Sequence, residues 1–469
     1  MNKSKVNNQK INKYELIIIS LIIFISSFFC FTLIKEGHNW GDDFSLYISE
    51  TKAIIDLDIK AFYSENKFSI LHSEDKSSPY LTPLGFPLIL SPFFFLFGLN
   101  LILFKWICAF FFIATIPLIY FLFKKYFLNS FYVFFILIII SFHPQILKIT
   151  DEILSDFPFL FFSLLSLFLI TKKNSLLNQI FIGICISFSF FIRDIGIVLI
   201  PTLFVYQLFQ LKKHQIKKKG NLLLLIPFII FFTIYIIYSI IFPPKGENQI
   251  NLFISNINLN KAVLSLAIYK KMIISFMYIK NYQFWTIFTF ALFGILSSFK
   301  QTIHFTVFFI CYFLILLFWN TNQGLRFILP LIPIFLFFIL KGSCFLFSKF
   351  KSAYLVIIFS VFLLRTTKIN FVEIRILSKE DTNQAYTPEM NYIYKYICKN
   401  IKKNEIIASR KSRVLRLNTN RTTINSNIEF FNKSIANYLL IRKKDFKKNN
   451  YLTILKTENF LILKKQLKP

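Results

Sequence analysis

Long apolar blocks, most of them 16 to 22 residues, alternate with short polar and charged loops along almost the whole chain. Each block is about the length at which a helix crosses a ~30 Å hydrocarbon core. Bounding the blocks by charge predicts spans near 15–34, 101–123, 131–147, 156–171, 176–192, 195–211, 221–242, 282–299, 305–319, 326–340 and 353–364. The fold class is therefore an α-helical polytopic membrane protein of about 11 transmembrane helices. The apolar run Leu81 to Gly98 is left out, because Pro83, Gly85, Pro87 and Pro92 punctuate it as a bent, re-entrant or interfacial segment.

With the N-terminus in the cytoplasm, the loops between spans collect Lys124, Lys125, Lys172, Lys173, Lys212 to Lys219, Lys300, Lys341, Lys349 and Lys351 on the inner side. The opposite ends carry Asp42, Asp43, Asp151, Glu152, Asp156, Arg193, Asp194 and Arg326, with Trp40, Trp106, Trp285 and Trp319 near the same boundary. The basic start (Lys3, Lys5, Lys10, Lys13) before Leu16 to Ile34 reads as a retained first span, with no small-residue cleavage site.

Two polar regions interrupt the pattern. Residues 35–80 form a long first external loop, opening with a helix from Asp43 to Ile55 capped by Asp42 or Asp43. Tyr47 and Glu50 follow Asp43 on one face of that helix. A second loop, about 243 to 281, opens with Pro243 and Pro244 and holds a mixed segment, Ile257 to Lys271, suited to the interface. Residues 365–469 carry no membrane-length apolar run after the transmembrane domain, 1–364. They read as a small extracytoplasmic α/β domain: a helix over Pro388 to Asn400, then strands at Glu405 to Ala408, Ser412 to Leu417, Tyr438 to Ile441 and Leu452 to Leu463.

Composition changes the picture little. The net charge of +31 could suggest nucleic acid, but the lysines sit in loops and accompany a general excess of Lys, Asn, Ile and Phe, including 64 Phe, so no nucleic-acid partner is implied. The six cysteines form no C-x-x-C pair, and no two of the five histidines have metal-ligand spacing. No cofactor is expected; converging carboxylates would tolerate a divalent metal without demanding one. There is no P-loop and no G-x-S-x-G elbow.

The candidate chemistry lies in the charges at the outer ends. Asp42 and Asp43 suit deprotonation of an acceptor as it attacks an electrophilic carbon, against the plainer reading of a helix cap. Asp151, Glu152 and Asp156 form a second acidic group, in which Asp156 either starts a helix before Pro158 or faces the cavity. Arg193 either pairs with Asp194 or offers its charge to a phosphate, and Arg326 either snorkels or does the same.

Trp40-Gly41-Asp42-Asp43-Phe44-Ser45-Leu46-Tyr47, Pro79 to Pro87, Leu96-Phe97-Gly98, Ser155-Asp156-Phe157-Pro158, Phe191-Ile192-Arg193 and Arg326 to Pro333 resemble, in order, the dolichyl-phosphate-mannose protein mannosyltransferase and aminoarabinose transferase group, akin to glycosyltransferase family 39. That resemblance covers residues 1 to about 340 and implies the glycosyltransferase C fold. It also implies an inverting transfer from a polyprenyl-phosphate sugar donor, on the outer face of the cell membrane, to a lipid, glycan or protein acceptor. Its first-loop aspartate maps onto Asp43 when aligned on Tyr47, and onto Asp42 when aligned on the acidic pair; here Phe44 stands where the second acidic residue is usual. The implied roles are catalytic for Asp43, Asp42 and Asp156, lipid-phosphate binding for Arg193 and Arg326, and other substrate contacts for Tyr47 and Glu152. The competing readings are a flippase, polymerase or transporter of lipid-linked glycans, and a non-catalytic membrane scaffold. The first would not need the acidic pair, no internal repeat supports it, and the second leaves the boundary charges without purpose.

Overall fold

The computed structural model describes residues 12–212, 222–242, 254–255, 257–319, 324–348, 352–446 and 451–465. The expected lysine cluster at 213–219, Pro243, Pro244, Lys349 and Lys351 lie outside them. Among the described residues, seven helices are long and apolar enough to cross a membrane. An eighth arises if Phe131–Phe142 and Pro144–Thr150, bent by 54°, form one span; Pro144, which cannot donate a helical hydrogen bond, marks the break. Three shorter apolar helices accompany them: Gly85–Phe97, Asp156–Ile170 and Leu176–Ile192. The run around Leu81 to Gly98 is thus a 13-residue helix with Pro92 inside it.

The spans expected at 282–299 and 305–319 are the two arms of Asn281–Phe318, two helices that meet at a kink at Thr302, whose dihedrals are non-helical (φ −123°, ψ 27°). One boundary differs from expectation. The last apolar helix, expected to end at residue 364, continues to Leu377, with Thr366, Asn370 and Ile374 buried at four-residue spacing along one face.

The short helix Asp156–Ile170 runs through the centre of the bundle, packed between Leu101–Lys124 and Leu176–Ile192. Its Phe159, Leu160, Leu164 and Leu167 have no exposed surface. Gly85 starts the helix packed against the end of Leu176–Ile192; a Cβ there would sit 2.4 Å from the Phe191 carbonyl carbon. Only glycine lets this helix approach the backbone just before Arg193.

The C-terminal region builds a five-stranded mixed sheet in the order β2-β1-β3-β5-β4, with β1 Ile407–Ser409, β2 Thr423–Ile424, β3 Tyr438–Arg442, β4 Leu452–Lys456 and β5 Phe460–Lys464. Strand β1 lies parallel between β2 and β3, whereas β5 pairs antiparallel with β3 and β4. The helix Pro388–Asn400 falls where expected, started by Thr387 and Pro388. The expected strand Ser412 to Leu417 is instead a helix, Ser412–Thr419, which buries Val414, Leu415 and Thr419 and stops at Asn420 in the left-handed region (φ 49°). Buried positions 414, 415 and 419 recur at helical spacing, and Asn tolerates the left-handed stop.

This sheet domain rests on the first loop. Ser69 Oγ donates to the Thr423 carbonyl (2.7 Å), Asn425 N donates to Ser73 Oγ (2.8 Å), and Glu74 accepts from Asn427 N (3.1 Å). Trp40 packs on Phe460 with ring centroids 6.2 Å apart.

Candidate active site

Four charged side chains from four chain segments meet at one end of the bundle. Arg193 Nη1 donates to Asp156 Oδ1 at 2.8 Å, Arg326 Nε donates to Asp156 Oδ2 at 3.0 Å, and Arg326 Nη1 donates to Asp43 Oδ2 at 3.1 Å. The result is a chain of alternating charge, Arg193–Asp156–Arg326–Asp43. The Asp156 side chain is fully buried, Arg193 and Arg326 are 14% and 18% exposed, and Asp43 is 36% exposed. The network therefore opens toward solvent at Asp43. Arg326 Nη2 is buried with no hydrogen-bond partner among the described residues, a costly state that an anionic ligand would relieve.

Local structure explains each position. The loop helix is Asp42–Ile55, with Gly41 as its N-cap and no side-chain cap bond, so neither aspartate caps it, contrary to expectation. Both sit in the first turn, where the helix dipole favours negative charge. Asp156 begins its own helix after Ser155, yet its carboxylate is held by the two arginines rather than by the helix end. Arg193 pairs with Asp156 in an extended conformation, at the junction of Leu176–Ile192 and a 3-10 turn.

The other expected site residues occupy the wall behind this network. Tyr47 OH and Ser155 Oγ lie 3.0 Å apart, and the Tyr47 ring meets Phe86 edge-on at 5.0 Å. Burial raises the Tyr47 phenol above its ordinary pKa. Glu50 accepts from both the backbone N (2.6 Å) and the hydroxyl of Thr82, tying the loop helix to the segment before Gly85. Glu152 Oε1 accepts from Asn39 Nδ2 at 3.2 Å, and its carboxyl is raised above the usual range, chiefly by burial.

Asp42 is turned about 100° around the helix from Asp43. Its Oδ2 lies 4.0 Å from Lys411 Nζ, and its buried Oδ1 has no hydrogen-bond partner among the described residues. Burial raises its pKa, reinforced by repulsion from Asp43 and opposed by Lys411 and Arg413.

Sequence reasoning missed a supporting ion pair. Lys105 and Asp151 are 2.7 Å apart at 0% and 8% side-chain exposure, and Asp151 also accepts from Lys35 N and Thr382 Oγ1, both at 2.8 Å. A lone lysine inside an apolar span was the available signal. His38 is equally buried: its Nε2 lies 3.2 Å from Ile153 N, its ring stacks on Phe44 at 3.8 Å, and burial followed by the Lys105 charge lowers its pKa to about 3. Among the described residues, no group of three or more His, Cys, Asp or Glu side chains converges on a metal-sized site.

The multi-pass apolar bundle with its small C-terminal sheet has the glycosyltransferase C fold of the solved structures it superposes on. The chain superposes on ArnT from Cupriavidus metallidurans bound to undecaprenyl phosphate with a TM-score of 0.59 at 10% identity, covering 95% of this chain and 97% of that one. The apo state of the same protein gives 0.58 at 10% identity, with 96% and 97% covered. The archaeal oligosaccharyltransferase AglB from Archaeoglobus fulgidus, in complex with an inhibitory peptide and a dolichol-phosphate, gives 0.59 at 11% identity, covering 92% of this chain and 69% of that one. No protein-family model and no curated protein matches the sequence.

Proposed function

We propose that the protein is a membrane glycosyltransferase that takes a sugar from a polyprenyl-phosphate donor at the outer face of the membrane and transfers it with inversion. The observation that carries this reading is the Arg193–Asp156–Arg326–Asp43 chain, which sets a partly exposed carboxylate against Arg326 and links it through Asp156 to Arg193 at the end of an apolar bundle. The like fold of two proteins whose structures hold a polyprenyl or dolichyl phosphate supports it.

In the reaction, an acceptor oxygen or nitrogen attacks the anomeric carbon while Asp43 takes its proton. The bond from that carbon to the lipid-phosphate oxygen breaks, and the pair of electrons leaves with the phosphate. Arg326, through its unpartnered Nη2, and Arg193 stabilise the departing anion where its tail still lies in the bilayer. Asp156 takes no proton; it holds both guanidinium groups in place. The donor phosphate is already a leaving group, so no nucleotide is consumed.

Purified protein in proteoliposomes, given a pool of polyprenyl-phosphate sugars, tests the reading directly. Release of free polyprenyl phosphate with a glycosylated product supports it. Movement of intact donor across the bilayer without release would replace it with a flippase.

A further inference from the structure

Beyond the charged network lies a polar, solvent-open cleft between the first loop and the C-terminal domain. Asp42, Asn66, Asp75, Arg413, Arg416 and Asn425 line it with several Ser and Thr hydroxyls, and Ile70 is the sole aliphatic side chain in that lining. Three buried polar atoms of its lining have no hydrogen-bond partner among the described residues: Asp42 Oδ1, Arg413 Nη2 and Arg416 Nη1. Arg413 and Arg416 lie three positions apart on the helix Ser412–Thr419, so they share a face; Arg416 is also paired with Glu65 and lies over the Phe62 ring at 4.8 Å.

We infer that this cleft is the acceptor subsite and that it takes the hydroxyls of a saccharide, an inference that rests on the transferase reading above. The unmet groups are two donors and one acceptor. A sugar hydroxyl accepts from a guanidinium N–H while donating to a carboxylate, so it satisfies both kinds at once. A phosphate would meet the guanidinium groups but would also face the Asp42 and Asp75 carboxylates. A peptide would find little apolar wall for its side chains. The adjacency of Asp42 and Asp43 then has a mechanical meaning: one helical step carries the chain from the acceptor cleft to the reacting carboxylate.

The test uses the full chain in lipid nanodiscs on a printed array of neutral, amino and uronic oligosaccharides, phosphorylated polyols and peptides. Binding of radiolabelled undecaprenyl phosphate is measured in parallel. The wild type should be retained on a subset of saccharides, and Arg413→Ala and Asp42→Asn should weaken that retention at least tenfold while undecaprenyl phosphate binding stays within twofold. That second binding also certifies that the variants are folded. Saccharide retention unchanged in both variants, retention on peptides or phosphorylated polyols instead, or no saccharide retained would overturn the inference. Saccharide binding without undecaprenyl phosphate binding in the wild type would sink the donor reading and leave the cleft standing.

Discussion

Arg326 Nη1 reaches Asp43 Oδ2 at 3.1 Å across 283 positions of sequence. The same guanidinium holds Asp156 through Nε, so one side chain sets the distance between the exposed carboxylate and the buried one. A lysine has its donors on one ammonium nitrogen and lacks the planar fork that presents Nε to one carboxylate and Nη1 to the other.

Arg326→Ala should therefore remove donor-phosphate binding and lower transfer by ~10²–10³-fold, the scale of a lost transition-state donor. Arg326→Lys should recover only a small part. Radiolabelled undecaprenyl phosphate binding and initial rates report the two effects separately. Donor binding within twofold of wild type in the alanine variant would remove Arg326 from the phosphate site.

The two adjacent aspartates should separate kinetically. Asp43→Asn should keep donor binding and lose ~10²–10⁴-fold in kcat, as loss of a general base does. Asp42→Asn should mainly raise the acceptor KM, by about tenfold for one lost charged hydrogen bond. The opposite assignment, with kcat collapsing only in Asp42→Asn, would exchange the residues.

Lys105→Met should destabilise the protein by roughly 3–5 kcal/mol, because Asp151 would stay buried without its cation. Adding Asp151→Leu should recover a good part of that loss. Thermal unfolding in detergent of the two single variants and the double variant measures the coupling. Additive losses would show that the pair does not act as a unit.

His38 makes stability depend on pH with a defined sign. Its folded pKa, about 3, lies below the ordinary 6.5, so the unfolded chain binds more protons between those values. Stability on this account is fully present above pH 6.5 and is lost as pH falls toward 3, by about 1.4 kcal/mol per unit. Asp42 and Glu152 act with the opposite sign, since their raised carboxyls are relieved by protonation. Unfolding midpoints of wild type and His38→Gln from pH 7 to 4 should converge as pH falls; parallel curves would mean that His38 is not buried neutral.

The membrane character and the unusual placement of the boundary charges were legible because apolar length and misplaced charge are local signals. Asp43, Asp156, Arg193 and Arg326, each chosen for its place at the end of an apolar run, come together in one network. Which carboxylate meets which arginine was not legible, since Arg193 pairs with Asp156 rather than with its sequence neighbour by a choice that belongs to tertiary packing. Ser412 to Leu417 misled for a related reason. Over six residues its apolar positions fit a strand as well as a helix, and only the burial of Thr419 and the turn at Asn420 decide the matter. Arg413 and Arg416 lay in a region without a recognisable motif, so nothing local linked them to Asp42.

The seam between the first loop and the last domain joins residues made early in translation to residues made at its end: Ser69 to Thr423, Ser73 to Asn425, and Asp42 beside Lys411. A nascent chain whose bundle is already inserted carries Asp43 and Arg326 but still lacks the wall that Ser412, Arg413 and Arg416 supply. The cleft beside Asp42 thus takes shape only when the two ends of the chain are both in place.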